Sequence, residues 1–442
     1  MRSSPIRLHR TLAAAACIAA AASCRTSAGG SAVGIGIPDS VQVRRDIETL
    51  ASERFEGRRT GTPGNDSAAA YLAGRYAALK LRPAPDAPGC GTGCAAAYIR
   101  RFTATEPVRG GPPTQLPTQN LVGIIPGTDP ALRNEYVVLG AHFDHLGRST
   151  TGALDPDHGS EIRNGADDNA SGSAAVLALA RRFVRSPTRR PILVTHFSGE
   201  EEGLLGSAYL VEHPPVPVTR MVAMLNFDMV GRLRDDKVIV YGLATAAEMR
   251  SVLDSANAGV GLKLSLVGDG TGPSDHSSFY LKDMPVLHFF TDVHADYHRA
   301  SDDADKINVA GEVRVVDLAE RAIRLIADRP KKLTFTKAPT TTVARSASSG
   351  NGAYFGSIPD MGAGDETGMR LSGVSPGGPA EKAGLKGSDL IVEFGGKPIK
   401  NIYDYTDALG TYKPGDVVSV VLLRGPNKER ITLSVTLSRR GG

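Results

Sequence analysis

Acidic and imidazole side chains recur in this 442-residue chain where apolar segments end. The set has no thiol, and such a mixture of imidazoles and carboxylates suits Zn²⁺ better than Mn²⁺ or Co²⁺. It contains more carboxylates than one ion needs, which favours two ions joined by a bridging carboxylate, a known catalytic device. The segments are "YVVLGAHFDH" with His142, Asp144 and His145, "NGADDNASG" with Asp167 and Asp168, "ILVTHFSGEE" with Glu200 and Glu201, "VAMLNFD" with Asp228, and "VLHFFTDVHADYH" with His294 and His298.

The elements that must position these side chains alternate between short apolar strands and helical stretches from about residue 40 to 329. This alternation predicts an α/β fold, a three-layer α/β/α arrangement with a mostly parallel mixed central sheet. Ligands of such sheets bind outside the carboxyl ends of the strands, so these acidic and imidazole side chains are expected at one edge. The predicted strands are 136–142, 191–198, 221–229, 237–243, 263–268 and 285–292.

The motifs "AHFDHLG", "NGADDNASG", "GEEEGLLGS", "NFDMVG" and "DYHRASDD" together resemble the secreted di-zinc aminopeptidase family. That family also includes glutamate carboxypeptidases and glutaminyl cyclases. The resemblance implies two Zn²⁺ ions and the removal of N-terminal residues from peptide substrates by a water that the two metals activate. By position, it implies that His142 and Asp228 bind the first zinc, that Asp168 bridges both, and that Glu201 and His298 bind the second.

The same resemblance assigns roles around the metals. Glu200 would be the general acid/base, and Asp144 would orient His142 through its ring N–H. Tyr297 matches a tyrosine that in some members helps to hold the developing oxyanion. Glu202 is expected to begin a helix, where an acid is favourable.

Other polar residues near these motifs receive simpler interpretations. Asp167 is expected to be structural, next to a helix start. His145 and His294 lie near the site but match no ligand position, and either could touch substrate. His276 is expected to support the site from a helix start.

From about residue 351 to 442 the sequence becomes rich in glycine and short strands, after a polar linker over 330–350. The segment "VSPGGPAEKAGLKGSDLIVEFGGKPIKNIYDYTDAL" resembles a bacterial PDZ domain. The resemblance implies that a peptide C-terminus binds at a loop whose backbone N–H groups form a nest. The alternative is that this domain only packs against the catalytic unit. The loop residues are Tyr354, Phe355, Gly356, Ser357 and Ile358.

The N-terminus predicts export. Residues 1–23 carry Arg2, Arg7 and Arg10 and then an Ala-rich apolar stretch, the pattern of a signal peptide. Cys24 follows, as in lipoprotein signals, so a lipid anchor in the periplasm or cell envelope is expected, with residues 24–39 as a tether. Ordinary signal cleavage, giving a secreted soluble protein, is the alternative.

The remaining charges and cysteines narrow the possible partners. Without residues 1–23 the chain holds 48 basic and 47 acidic residues. This balance lacks the excess of positive charge that is typical of nucleic-acid-binding proteins. No later segment predicts a transmembrane helix, so contact with the membrane would occur only through the anchor. Cys90 and Cys94 are expected to form a local disulfide in an oxidising compartment.

Two other functions remain open. One is a glutaminyl cyclase, which uses one zinc and makes no hydrolytic cut. The other is an inactive binding protein that recognises peptides through its PDZ domain. Glu200 together with five ligand positions favours the hydrolase.

Overall fold

The computed structural model describes residues 39–87, 89–106, 112–155, 158–338, 353–359, 367–375, 377–400 and 402–439. The signal segment with Cys24, the tether up to residue 38 and linker residues 339–350 lie outside the described residues. No helix in the described ranges combines the length and apolar character that a membrane crossing requires.

A nine-stranded mixed sheet organises residues 39–338. The strands are β1 Arg82–Pro83, β2 Ile99–Glu106, β3 Thr114–Ile125, β4 Tyr136–His142, β5 Ile192–Phe197, β6 Met221–Phe227, β7 Lys237–Tyr241, β8 Lys263–Leu266 and β9 Val286–Phe290. They are hydrogen-bonded in the order β1-β3-β5-β4-β6-β9-β7-β8, and β2 pairs with β3.

Four strands in the middle, β5, β4, β6 and β9, run parallel. They are short apolar runs that are buried throughout, as expected of strands covered on both faces. β3 and β7 flank them antiparallel, and β8 pairs parallel with β7. The predicted mostly parallel, mixed sheet is therefore confirmed.

Helices cover both faces of this sheet. They are α1 Asp39–Leu50, α2 Pro63–Ala78, α3 Gly172–Arg185, α4 Leu205–Glu212, α5 Met249–Asn257, α6 His276–Tyr280 and α7 Val309–Ala327. Alternate residues of β4 divide between two cores, because successive side chains of a strand point to opposite faces. Val137 and Leu139 join the core beneath α1, α2, α3, α5 and α7, whereas Val138 joins the core beneath α4 and α6.

A separate, small β-rich region follows, as predicted. Its strands β11 Ser357–Pro359, β12 Met369–Val374, β13 Leu390–Phe394, β15 Val417–Arg424 and β16 Glu429–Thr436 form an antiparallel sheet. The shorter elements are β10 Ala353–Tyr354, β14 Lys397–Pro398, β17 Ser438–Arg439, α8 Pro379–Lys382 and α9 Ile402–Leu409. An apolar core of its own includes Phe355, Phe394 and Tyr405.

Candidate metal centre and active site

The carboxyl ends of four parallel strands supply the candidate site. His142 is the last residue of β4, and Asp228 directly follows β6. Glu200 and Glu201 come three and four residues after β5, and His298 lies in the loop after β9. Parallel strands present their carboxyl ends at one sheet edge, so residues distant in sequence meet there.

Three carboxylates surround the ring nitrogen Nε2 of His142. The Oδ1 atom of Asp228 lies 3.4 Å away and the Oδ1 atom of Asp168 lies 3.5 Å away. The Oε2 atom of Glu200 is farther, at 3.9 Å. His142, Glu200 and Asp228 form one of the two groups of potential metal ligands in the described part of the chain.

A second set of contacts centres on Nε2 of His298. The Oδ2 atom of Asp168 lies 3.2 Å from it, and the Oε2 atom of Glu201 lies 3.3 Å from it. Asp168 therefore turns one oxygen towards His142 and the other towards His298. This is the arrangement expected of a carboxylate that bridges two cations.

The spacing of these atoms fits zinc. With Zn–N and Zn–O distances of about 2.0–2.2 Å, two ligand atoms of a tetrahedral ion lie about 3.3–3.6 Å apart. The His142 and His298 contacts to Asp168, Asp228 and Glu201 span 3.2–3.5 Å, which matches that range to within about 0.1 Å. Buried Nε2 of His142 and Oδ1 of Asp228 have no hydrogen-bond partner, which an ion would supply.

Both histidines are held in the orientation that a metal ligand needs. Nδ1 of His142 lies 3.2 Å from the backbone oxygen of Asp144, and Nδ1 of His298 lies 3.0 Å from that of Gly152. A carbonyl oxygen only accepts, so Nδ1 carries a proton in both rings and Nε2 is the nitrogen left available to a metal ion. The carboxylate of Asp144 is more distant from His142, at 3.6 Å.

The electrostatics of the site favour positive charge. Burial opposes a proton on His142, but the carboxylates of Asp228 and Glu200 outweigh it and raise the pKa of His142 well above its usual value. Burial likewise opposes a proton on His298, and Glu201 and Asp168 raise its pKa. The space between these histidines and carboxylates therefore favours either protons or divalent cations.

Two adjacent glutamates have opposite pKa shifts. Burial, with the neighbouring carboxylates of Asp228 and Glu201, raises the pKa of Glu200 well above its usual value. Burial opposes the charge on Glu201, yet His298 and His145 lower the pKa of Glu201 well below its usual value. Such a divergence is typical of a proton carrier beside a permanently charged ligand.

The third glutamate of this run does not begin a helix, contrary to the expectation. Gly203 and Leu204 have φ of +114° and +63°, outside the helical range, so α4 starts only at Leu205. Glu202 lies in the preceding turn, and its Oε1 atom lies 3.5 Å from Nε of Arg59.

The segment that carries Asp168 is positioned by a buried network behind it. The Oδ2 atom of Asp302 accepts from the backbone N–H groups of Asp167 and Asp168, at 2.9 and 3.1 Å. Asp167 accepts from the N–H of Gly231 at 2.7 Å, and its Oδ2 atom lies 3.1 Å from Nε2 of His294. Asp167 and His294 thus support each other next to Asp168.

Arg58 is a supporting residue that sequence reasoning missed. Its side chain is fully buried and donates to the carbonyl oxygens of Leu50, Phe143, Asn164 and Gly165, at 2.6–2.9 Å. It ties the segment after β4 to the segment before Asp168. Its motif, "FEGRRTG", signals a glycine-bounded turn, but nothing local indicates where the guanidinium points.

Tyr297 lies beside the centre. Its ring stacks on the His298 ring with centroids 3.9 Å apart, and it packs against an apolar cluster that contains Met229, Tyr241 and Phe290. Burial, followed by the charge of Asp168, raises the pKa of Tyr297 well above its usual value. Its contribution to oxyanion binding stays a prediction.

Other predicted residues lie away from the centre or at its border. Cys90 and Cys94 form a disulfide with Cα atoms 5.8 Å apart. His276 begins α6, as expected, and its ring stacks on that of His288 with centroids 4.5 Å apart.

In the small region, Phe355 is buried against Phe394 and Tyr405, so its side chain belongs to the core and only its backbone can face a peptide. Gly356 has φ +82°, and Ser357 Oγ lies 2.8 Å from the Tyr405 hydroxyl. Tyr354 lies in β10 and Ile358 in β11.

Comparisons with known proteins found similarities for both regions of the chain. The model of peptidase family M28 matches residues 120–323, and a PDZ domain model matches residues 358–437. Leupeptin-inactivating enzyme 1 of Streptomyces exfoliatus is 32% identical over 191 residues, which cover 42% of this chain and 38% of that protein. Aminopeptidase YwaD of Bacillus subtilis is 26% identical over 230 residues, covering 50% of this chain and 47% of that protein. This chain thus spans less than half the length of these relatives.

Solved structures share the fold. A zinc aminopeptidase from Bacillus subtilis superposes with a TM-score of 0.50 at 18% identity, covering 67% of this chain and 98% of that one. A glutaminyl cyclase from Bacteroides thetaiotaomicron superposes with a TM-score of 0.52 at 18% identity, covering 66% and 99%. At this identity the likeness establishes the fold and does not choose between the two activities.

Proposed function

We propose that this chain, whose residues 120–323 belong to peptidase family M28, is an exported aminopeptidase that uses two zinc ions. The proposal rests mainly on the Asp168 carboxylate, whose two oxygens face different histidines. Its Oδ1 lies 3.5 Å from His142 and its Oδ2 lies 3.2 Å from His298, so each oxygen belongs to a different histidine.

The proposed ligand set follows from these contacts. His142 and Asp228 would hold the first ion, Glu201 and His298 would hold the second, and Asp168 would be shared between the two. Zinc bound here would supply Lewis acidity and lower the pKa of water. The 3.9 Å distance from Glu200 to His142 Nε2 exceeds the ligand spacing, so Glu200 is left free for proton transfer.

The chain's own residues then account for the proton movements. Glu200 takes a proton from the attacking water and returns it to the leaving amine, because it lies at the centre but outside the proposed ligand set. His142 and His298 keep their Nε2 atoms aimed at the centre because backbone oxygens accept from Nδ1.

The preference for a free N-terminus rests on the similarity of this chain to relatives that are named aminopeptidases.

The PDZ domain at residues 358–437 is proposed to capture a peptide C-terminus, which would hold a substrate near the enzyme. We also propose export through residues 1–23, with anchoring at Cys24. A membrane contact other than that lipid anchor, and a nucleic-acid partner, are not part of the proposal.

The test uses the zinc-loaded chain without residues 1–23 and one peptide in two forms, with a free and with an acetylated N-terminus. We expect stepwise release of N-terminal residues from the free form only, loss of activity with a chelator, and recovery at two zinc ions per chain. Equal cleavage of both forms would contradict an exopeptidase. Cyclisation of an N-terminal glutamine without release of an amino acid would instead support a cyclase.

A further inference from the structure

His145 is a buried residue at the metal centre that the proposed ligand set does not use. Its side chain has no exposed surface, and its Nδ1 atom lies 2.7 Å from Oε1 of Glu201. The same atom lies 3.7 Å from Oδ2 of Asp168. His145, Asp168 and Glu201 could themselves form a metal-binding group, so distances must decide between a ligand and a supporting residue.

The contact between His145 and Glu201 is too short for two ligands of one ion. Ligand atoms of a tetrahedral zinc lie about 3.3–3.6 Å apart, given Zn–ligand distances of about 2.0–2.2 Å. The distance from His298 Nε2 to Glu201 Oε2, 3.3 Å, fits that range, whereas 2.7 Å between His145 and Glu201 is a charge-assisted hydrogen bond.

We propose that His145 is a positioning residue that donates its Nδ1–H to Oε1 of Glu201. Because this oxygen is engaged, Glu201 presents only Oε2 to the second zinc ion, next to His298. The inference rests on the proposed two-metal site and adds a residue that decides how one ligand coordinates there.

Glu201 needs such a partner because its backbone lies in a turn. Residues 201–204 precede α4, and the neighbouring glycines Gly199 and Gly203 have φ of +88° and +114°. A carboxylate on such a turn has no helix or strand to restrict its rotamer. Its backbone N–H donates to Oδ2 of Asp144 at 3.3 Å, which leaves the side chain to be fixed by another group.

His145, in contrast, is rigidly seated. Its ring packs against the backbone at Gly165, where an added Cβ would lie 2.5 Å from the ring. Arg58 donates to the carbonyls of both Phe143 and Gly165, so it clamps the two segments around the ring. The donor position is therefore set by packing, which is what a positioning role requires.

The test compares two substitutions that differ in where they place an amide. In His145→Asn the amide nitrogen can occupy the position of Nδ1, whereas in His145→Gln it extends towards the position of Nε2. Zinc affinities are measured by titrating the zinc-free chain, which has no residues 1–23, against a chelator of known affinity. Bound metal is then counted. His158→Ala is the control, since this exposed histidine pairs with Glu161 on the surface.

We expect His145→Gln to weaken one of the two zinc sites about 10–100-fold, the usual effect of removing an outer-shell partner. His145→Asn and His158→Ala should bind both ions like the wild type. Equal affinities for His145→Asn and His145→Gln, whether both are weak or both are normal, would overturn the proposal. A wild-type chain that binds fewer than two zinc ions would instead contradict the proposed function, so the two failures are distinguishable.

Discussion

The α/β region and the small β region bury charge in opposite ways. At the sheet edge of the α/β region, the carboxylates of Asp168, Glu200, Glu201 and Asp228 lie close together and are at most 13% exposed. In the small region, the buried carboxylate of Asp389 is matched by Arg424, with two contacts of 2.7 Å.

This difference indicates which region buries charge for function and which buries it at no cost to stability. Burying several carboxylates together destabilises a fold unless a cation compensates for their charge. Asp389 has a cation within its own domain, so it requires nothing from outside. The acids of the α/β region contact the imidazoles of His142, His145 and His298, whereas Asp389 contacts a guanidinium. We therefore expect the α/β region to depend on a bound cation in a way that the small region does not.

The largest expected effect on this difference between the regions comes from removing the carboxylate of Asp168. We expect Asp168→Ala to lose both zinc ions and to reduce peptide hydrolysis below detection, because each ion loses a ligand and the two ions are no longer bridged. Metal analysis of the purified protein and a peptidase assay measure this. The surface variant Glu161→Ala is the control, and two retained zinc ions in Asp168→Ala would contradict a bridging role.

Substitution of Glu200 should have a smaller effect, and it distinguishes carboxylates that bind metal from a carboxylate that transfers protons. Glu200→Gln should keep both zinc ions and slow hydrolysis by roughly 10²–10⁴-fold, the usual contribution of a general acid/base. Single-turnover rates and metal counts report it. Glu202→Gln is the matched control, because Glu202 contacts Arg59 rather than the centre. A near wild-type rate for Glu200→Gln would show that another group carries the proton.

The smallest effect concerns the apolar core of the other region. Phe355→Ala should destabilise the small β region by about 3–5 kcal/mol, because it removes a fully buried ring that packs on Phe394 and Tyr405. Hydrolysis of a short peptide should be unchanged. Denaturant unfolding of the full chain measures the first effect. Val417→Ala, at a residue 64% exposed, should stay within about 0.5 kcal/mol of wild type.

Much of the α/β fold was predictable because its strands are short and apolar. All six predicted strands occur in the structure, with ends shifted by up to two residues. The hairpin of β2 and β3 was not predicted. Pro117 and the polar "PTQN" segment resemble a loop, yet β3 is buried along its second half because it pairs with β5. Tertiary pairing thus overrode a weak local signal.

The site shows the same division. Motif order identified the residues that meet at the sheet edge, including His142, Asp168 and His298. The support from Arg58 and Asp302 was not predicted, because each acts on backbone groups brought near only by folding. The sequence predicted that His145 lies near the site. Its partner Glu201 is 56 residues away, and no local pattern predicts that contact.

The sequence by itself determined the alternating architecture, the order of the acidic and imidazole motifs, and their placement at strand ends, because these depend on periodicity and local residue types. Only the tertiary structure decided which oxygen of Asp168 and of Glu201 faces which histidine. A carboxylate has two equivalent oxygens, and the packed neighbours on each side select the one that is presented to a metal.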